Sequence, residues 1–156
     1  MTSHDPITIL MADDDPDDQI LVRDAFAVNR LAHNLQFVDS GQDLMDYLDH
    51  QGRFPNPALS PRPDIILLDL NMPGMDGREA LDAIKSDPRF RTIPIVVLTT
   101  SSEEKDIRSM YDLGANSYIV KPMGFEALVR AIASLGSYWL DIVRLPLHSA
   151  DGPAGR

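Results

Sequence analysis

Five short runs rich in β-branched and apolar residues constrain this chain most: 7–12, 35–38, 65–68, 93–98 and 117–120. Each is too short for a helix of normal length and is bounded by polar residues, so each reads as a buried strand. Between them the apolar residues fall at helical spacing. Ile20, Leu21, Ala25 and Val28 follow the first run, Leu44, Met45 and Leu48 the second, and Ala80, Leu81 and Ile84 the third. Pro16 suits the first turn of a helix with Asp15 as its N-cap, and Ser40 caps the next. Residues 102–113 read as a fourth helix ending at Gly114, a C-terminal glycine cap, and the last helix begins near Gly124. Strands alternating with helices imply an α/β domain, a doubly wound five-stranded parallel sheet covered on both faces. Residues 51–63 contain Pro55, Pro57, Pro61 and Pro63, which neither a helix nor a central strand accommodates, and so form an extended loop.

In such sheets the site lies beyond the carboxyl ends of the strands, at the topological switch. The polar residues that a core does not explain collect there. Asp13 and Asp14 follow the first strand, Asp69 the third, Thr99 ends the fourth and Lys121 the fifth. Carboxylates brought together repel and raise one another's pKa unless a cation neutralises them. Oxygen donors alone favour Mg²⁺, which binds through one or two carboxylates and accepts phosphate oxygens. A lysine adds a point charge for a phosphoryl group and a threonine hydroxyl a hydrogen bond. These are the parts for in-line phosphoryl transfer to a carboxylate, with Asp69 as nucleophile. Taken singly, Asp13 or Asp15 also reads as a helix cap or solvated charge, Thr99 as a strand residue and Lys121 as an exposed lysine. Asp69 resists that reading, because it directly follows four apolar residues, where an unpartnered carboxylate is costly.

The segments 9–14 (ILMADD), 65–77 (IILLDLNMPGMDG), 96–100 (VVLTT) and 118–122 (YIVKP) resemble, in order and register, the receiver domains of two-component response regulators. The resemblance spans about residues 7 to 143 and implies the flavodoxin-like receiver fold with strand order 2-1-3-4-5. It implies Asp69 as phosphoacceptor, Asp14 as a direct Mg²⁺ ligand and Asp13 as one acting through water. The Asn71 backbone carbonyl completes the metal site, Thr99 and Tyr118 form a switch pair, and Lys121 contacts the phosphoryl group. Mn²⁺ or Ca²⁺ is expected to substitute for Mg²⁺. Lys121–Pro122 matches a position where the family often has a cis bond. The Pro-containing loop and the end of the chain, SYWLDIVRLP at 137–146, further resemble single-domain regulators paired with phytochrome histidine kinases.

The net charge of −10 argues against a nucleic-acid surface, which needs clustered Lys and Arg. The absence of cysteine excludes thiolate metal sites, disulfides and thiol nucleophiles. No apolar run approaches the ~18 residues of a membrane span, and the start of the chain does not read as a signal peptide, so a cytoplasmic protein is expected. Residues 1–6 are expected to be a flexible N-terminus, 7–146 the receiver domain with an extended C-terminal helix, and 147–156 a disordered tail. His4, His33, His50 and His148 lack metal-ligand spacing and read as surface residues. Phe125, Leu128, Val129, Ile132, Leu135, Trp139, Ile142 and Val143 form one helical stripe, with Gly136 either breaking the helix or tolerated within it. Trp139, Leu140, Ile142, Val143 and Leu145 lie beyond the expected footprint on the sheet. They are expected to serve a homodimer built through the fourth helix, fifth strand and fifth helix.

The leading functional expectation is a phosphoryl-accepting signalling switch served by a histidine kinase, not an enzyme acting on an external substrate. A receiver fold used as an interaction module without phosphorylation is the alternative. A phosphatase of the haloacid-dehalogenase type is disfavoured, because its general acid would fall at Asn71, which cannot shuttle a proton.

Overall fold

The computed structural model describes residues 7–31, 33–142 and 146, with positions 140–142 described by their backbone. The elements alternate: β1 (Thr8–Ala12), α1 (Pro16–Val28), β2 (Asn34–Val38), α2 (Gly41–Asp49), β3 (Ile65–Leu68), α3 (Gly77–Lys85), β4 (Ile95–Thr99), α4 (Glu104–Asp112), β5 (Ser117–Val120) and α5 (Phe125–Leu135). All strand pairs are parallel and the sheet order is β2-β1-β3-β4-β5. The doubly wound five-stranded sheet expected from the sequence is therefore present.

Alternation along the strands divides the core in two, because successive side chains point to opposite faces. Ile66 and Leu68 face a cluster with Leu44, Tyr47, Leu81, Ile84 and Met110, from α2, α3 and α4. Ile65 and Leu67 face Val22, Phe26, Leu128 and Ile132, from α1 and α5. Both faces being covered explains why β3 carries no polar residue.

The caps follow the sequence. The Asp15 side chain accepts from the Asp17 amide with Pro16 in the first turn of α1, and Ser40 accepts from the Asp43 amide at the start of α2. Asp76 and Glu79 form a reciprocal capping box on α3. Gly114 has φ +109°, and the Ala115 amide turns back to the Met110 carbonyl at 2.9 Å, closing α4 as expected.

Several boundaries differ. β1 starts at Thr8 rather than at position 7, and β2 one residue early, at Asn34. β4 starts at Ile95 rather than 93: Pro94 has no N–H for the ladder, and its carbonyl accepts from the Ile66 amide at 3.0 Å. α4 starts at Glu104 rather than 102, because Ser101 is held outside the helix by a hydrogen bond to Asp106. The loop over 51–63 is tied down, with Tyr47 donating to the Pro61 carbonyl and the His50 ring bonded to that of Ser60, both at 2.9 Å. His50 is thus not a free surface residue; nor is His33, whose Nδ1 accepts from the Ile7 amide.

At Gly136 the last helix changes from α to π, and the π-helical segment runs to Ile142. A side chain at Gly136 would meet Leu31 Cδ1 at 2.9 Å, so the glycine lets the end of α5 close against the segment after α1. Trp139 does not project beyond the sheet's footprint: it is half-buried and packs on the α1/α5-side cluster, edge-on to Tyr138. The side chains of Leu140 and Ile142, all of Val143 and Leu145, and the expectations for 1–6 and 147–156 lie outside the described residues. No peptide bond among the described residues is cis, Lys121–Pro122 included. No helix among them is long and apolar enough to cross a membrane.

Candidate functional site

Backbone bonds that extend the sheet past its strands deliver the polar residues to one edge. The Asp13 amide donates to Val38 at 3.1 Å, the Asp69 amide to Ala12 at 3.0 Å and the Lys121 amide to Thr99 at 2.6 Å. Gln19 clamps the first loop, donating to the Asp13 carbonyl at 2.7 Å and to the Asp39 carboxylate at 2.8 Å. Carboxylate oxygens of Asp13, Asp14 and Asp69 lie within 4.8 Å of one another. Asp13 is fully buried and Asp69 nearly so, whereas Asp14 is exposed.

The Lys121 ammonium sits among them, 2.7 Å from Asp13 Oδ2, 2.8 Å from Asp18 Oδ2 and 3.6 Å from Asp69 Oδ2. Burial pushes the Asp13 carboxyl above its ordinary range, and the contacts to Lys121 and the Asp15 amide offset only part of that. Burial alone would lower the lysine, yet its hydrogen bonds to Asp13 and Asp18 and the charges of Asp13 and Asp69 outweigh it and hold the ammonium above its ordinary value. The lysine has an anionic partner on each side, whereas the shift of Asp13 comes first from its burial, with the nearby Asp69 charge adding a little to it.

Three convergent carboxylates against one lysine leave uncompensated negative charge, and the donors are all oxygen. That set fits a hard divalent cation. Asn71 is exposed two residues past Asp69, its amide 3.4 Å from Asp69 Oδ1. Thr99 is fully buried, and its hydroxyl is an orphan among the described residues, with no hydrogen-bond partner. A buried hydroxyl without a partner is costly, and at this edge it suits an incoming anionic oxygen.

A second polar chain was not foreseen from the sequence. Arg78 at the start of α3 pairs with Asp106 in α4, and the Ser101 hydroxyl donates to the other oxygen of Asp106 at 2.6 Å. The Tyr118 hydroxyl donates to the Ser101 carbonyl at 2.8 Å. Tyr118 is thereby tied to the loop that follows Thr99, and burial raises its phenol above the ordinary value. Asp18 also escaped the sequence reading. Its acidic neighbours hid it.

The structure thus brings together Asp13, Asp14, Asp69, Thr99 and Lys121, with Asn71 and Tyr118 on adjoining loop and strand. Comparison with known proteins identifies the family. The family model described as "Response regulator receiver domain" matches residues 9–133. Response regulator Rcp1 of Synechocystis sp. is 40% identical over 144 residues, covering 92% of this chain and 96% of that protein. Its Mn²⁺-bound crystal structure superposes with a TM-score of 0.82 at 39% identity, over 91% of this chain and all of that one (100%). The phosphorylated cyanobacterial phytochrome response regulator RcpA gives 0.84 at 39% identity, over 92% and 100% of the two chains. RPA3017, a response regulator in red light signaling of R. palustris, gives 0.85 at 36%, over 91% and 99%. The chain belongs to the response regulator receiver domain family.

Proposed function

We propose that this protein is a light-signalling switch that accepts a phosphoryl group on Asp69 from a histidine kinase of the phytochrome type. The observation that carries the reading is the pairing, at one sheet edge, of the three-carboxylate cluster and Lys121 with the partnerless hydroxyl of Thr99. The named roles of Rcp1, RcpA and RPA3017 support the pathway.

An Asp69 carboxylate oxygen attacks phosphorus in line; the O–P bond forms as the bond to the donor breaks, and the departing group leaves with its electron pair and takes up a proton. Asp14, Asp69 and the Asn71 carbonyl, with Asp13 through water, would hold Mg²⁺, which would supply charge neutralisation; Mn²⁺ or Ca²⁺ would substitute. Lys121 balances the negative charge of the product, and Thr99 donates its hydroxyl to a phosphoryl oxygen. With that bond made, the loop bearing Ser101 shifts and Tyr118 follows, altering the α4–β5–α5 surface.

Exposed apolar residues on α1 (Ile20, Leu21), the β5–α5 loop (Met123) and the start of α5 (Phe125) suit a docking kinase. In this reading residues 7–146 are the working unit, a cytoplasmic homodimer joined through α4, β5 and α5. Edge strand β5, exposed Tyr111 and Tyr138, and a cavity of about 320 Å³ between Ile119, Leu135 and Trp139 support that contact. Sedimentation that finds only monomer at micromolar concentration, with Trp139→Ala silent, refutes the dimer.

Incubation with phosphoramidate and Mg²⁺ tests the chemistry. The expected result is one acid-labile phosphoryl group per chain, absent in Asp69→Asn. Continuous turnover would point to an enzyme, and no labelling to an interaction module.

A further inference from the structure

We propose that Asp18 is a positioning residue for this phosphoryl transfer, anchoring the Lys121 ammonium beside Asp69. The inference rests on Asp69 being the phosphoacceptor. Asp18 is the third residue of α1, a position from which an acidic side chain often folds back to cap its own helix. Here the Asp15 amide that such a side chain would take is held by Asp13 Oδ1 at 3.0 Å, and the Asp15 carboxylate takes the Asp17 amide at 2.9 Å. Asp18 instead reaches across to β5 and accepts from Lys121 at 2.8 Å, a contact spanning 103 residues of sequence.

Lysine is a point charge on a flexible four-carbon stem, so one hydrogen bond fixes its distance but not its direction. Two acceptors on different elements triangulate it, Asp13 after β1 and Asp18 on α1. Two of the three ammonium donors are thereby used, and Asp69 Oδ2 stands at 3.6 Å, within reach of a small shift and beyond a hydrogen bond. The two anchors are not equivalent. Asp13 belongs to the acidic cluster and is drawn into any charge placed there, whereas Asp18 lies outside that cluster. It is therefore the acceptor that holds Lys121 in place throughout the reaction. On one flank Asp18 and Lys121 border a cavity of about 100 Å³ whose other side chains, Leu21, Val22, Pro122, Phe125 and Leu128, are apolar.

A purely structural ion pair predicts something different. Asp18 is about one-third exposed, 31% at the side chain, and pairs at such exposure add little to stability. The test compares the full chain with Asp18→Ala and Asp18→Asn. Phosphorylation by phosphoramidate is expected to slow about tenfold in Asp18→Ala and less in Asp18→Asn, which keeps one acceptor oxygen. Mg²⁺ affinity by calorimetry should change by no more than about threefold, since salt screens the lost charge. A reporter independent of reaction is the Lys121 side-chain ammonium signal in ¹H–¹⁵N spectra of the unphosphorylated protein. It should be resolved in the wild type and lost in Asp18→Ala. An unchanged or faster rate in Asp18→Ala, or a persistent ammonium signal, overturns the inference while leaving the switch intact. A wild type that takes no phosphoryl group overturns the functional reading, and the inference with it.

Discussion

Gly77, the first residue of α3, offers a test in which two physical effects predict opposite signs. Replacing a helical glycine by alanine normally stabilises, by about 1 kcal/mol from helix propensity and the lost freedom of the unfolded chain. At Gly77, however, a Cβ would sit 2.5 Å from the Asp69 carbonyl oxygen and 2.7 Å from Leu70 Cα. Both obstacles are backbone, so no side chain can rotate away. Relief to an ordinary carbon contact of roughly 3.5 Å requires a shift of about 0.8 Å. The Gly77 amide donates to the Leu70 carbonyl at 2.9 Å, and that bond breaks under such a displacement, at a cost of about 1 kcal/mol. Overpacking adds about 1–3 kcal/mol. The net expectation for Gly77→Ala is destabilisation by about 1–3 kcal/mol, a fall in Tm of about 3–10 °C for a chain of this size. Thermal unfolding followed by circular dichroism reads it directly. Gly136→Ala is the control, because its Cβ would meet only the tip of the Leu31 side chain, and its Tm should move far less. Because the clash is with Asp69 itself, phosphoramidate labelling of Gly77→Ala should slow even at temperatures where the variant is fully folded. A Tm equal to or above that of the wild type refutes the close-approach argument.

Thr99→Val replaces the partnerless hydroxyl by a methyl group of similar volume. It is expected to raise stability by about 1 kcal/mol while slowing phosphorylation; a fall in Tm would mean the hydroxyl has a partner. For Asp13 the folded-state pKa is raised, so ionisation opposes folding and its contribution to stability falls as pH rises from 3.8 toward the folded value. Asp13→Asn should therefore raise Tm at pH 7 without divalent cation, and that advantage should shrink in saturating Mg²⁺, measured by calorimetric scans in both buffers. Asp106 has the opposite sign. Its hydrogen bond from Ser101 and its pairing with Arg78 lower its pKa, so its contribution is present above 3.8 and lost as pH falls through the depressed value. Asp106→Asn should flatten that part of the acid limb, and hydrogen exchange in the Ser101–Glu103 loop should quicken equally in Arg78→Ala; unequal effects would separate the two contacts.

The centre of the sheet was legible because β1, β3 and β4 are short runs buried on both sides, whereas the edge strands β2 and β5 are only partly buried and were read from their β-branched and apolar content. The strand ends were less legible. The start of β4 depended on which side of Pro94 the ladder begins, and that is a property of the partner strand. Asp13, Asp69, Thr99 and Lys121 were legible because each interrupts apolar sequence at the same end of a strand. Asp18 and Arg78 sit in polar surroundings where one more charge carries no signal. Their partners lie 103 and 28 residues away, a pairing that only the folded chain reveals. Trp139 misled for the reverse reason: the helical stripe placed it beyond the sheet, with Gly136 either breaking the helix or tolerated, whereas the segment after Gly136 is π-helical and Trp139 packs on the core.

The long reach from Asp13 to Lys121, 108 residues, also sets an order of events during synthesis. At about 5–20 residues per second, the lysine leaves the ribosome roughly 5–20 s after the acids it neutralises. A nascent chain therefore carries the carboxylates before it owns their internal counter-ion. Because β5 is the last strand among the described residues and an edge strand, the site gains its ammonium only when this five-stranded sheet is complete. Under the proposed function, phosphoryl acceptance would double as a certificate of finished folding, since a chain broken before β5 carries the acids but never the charge that balances them.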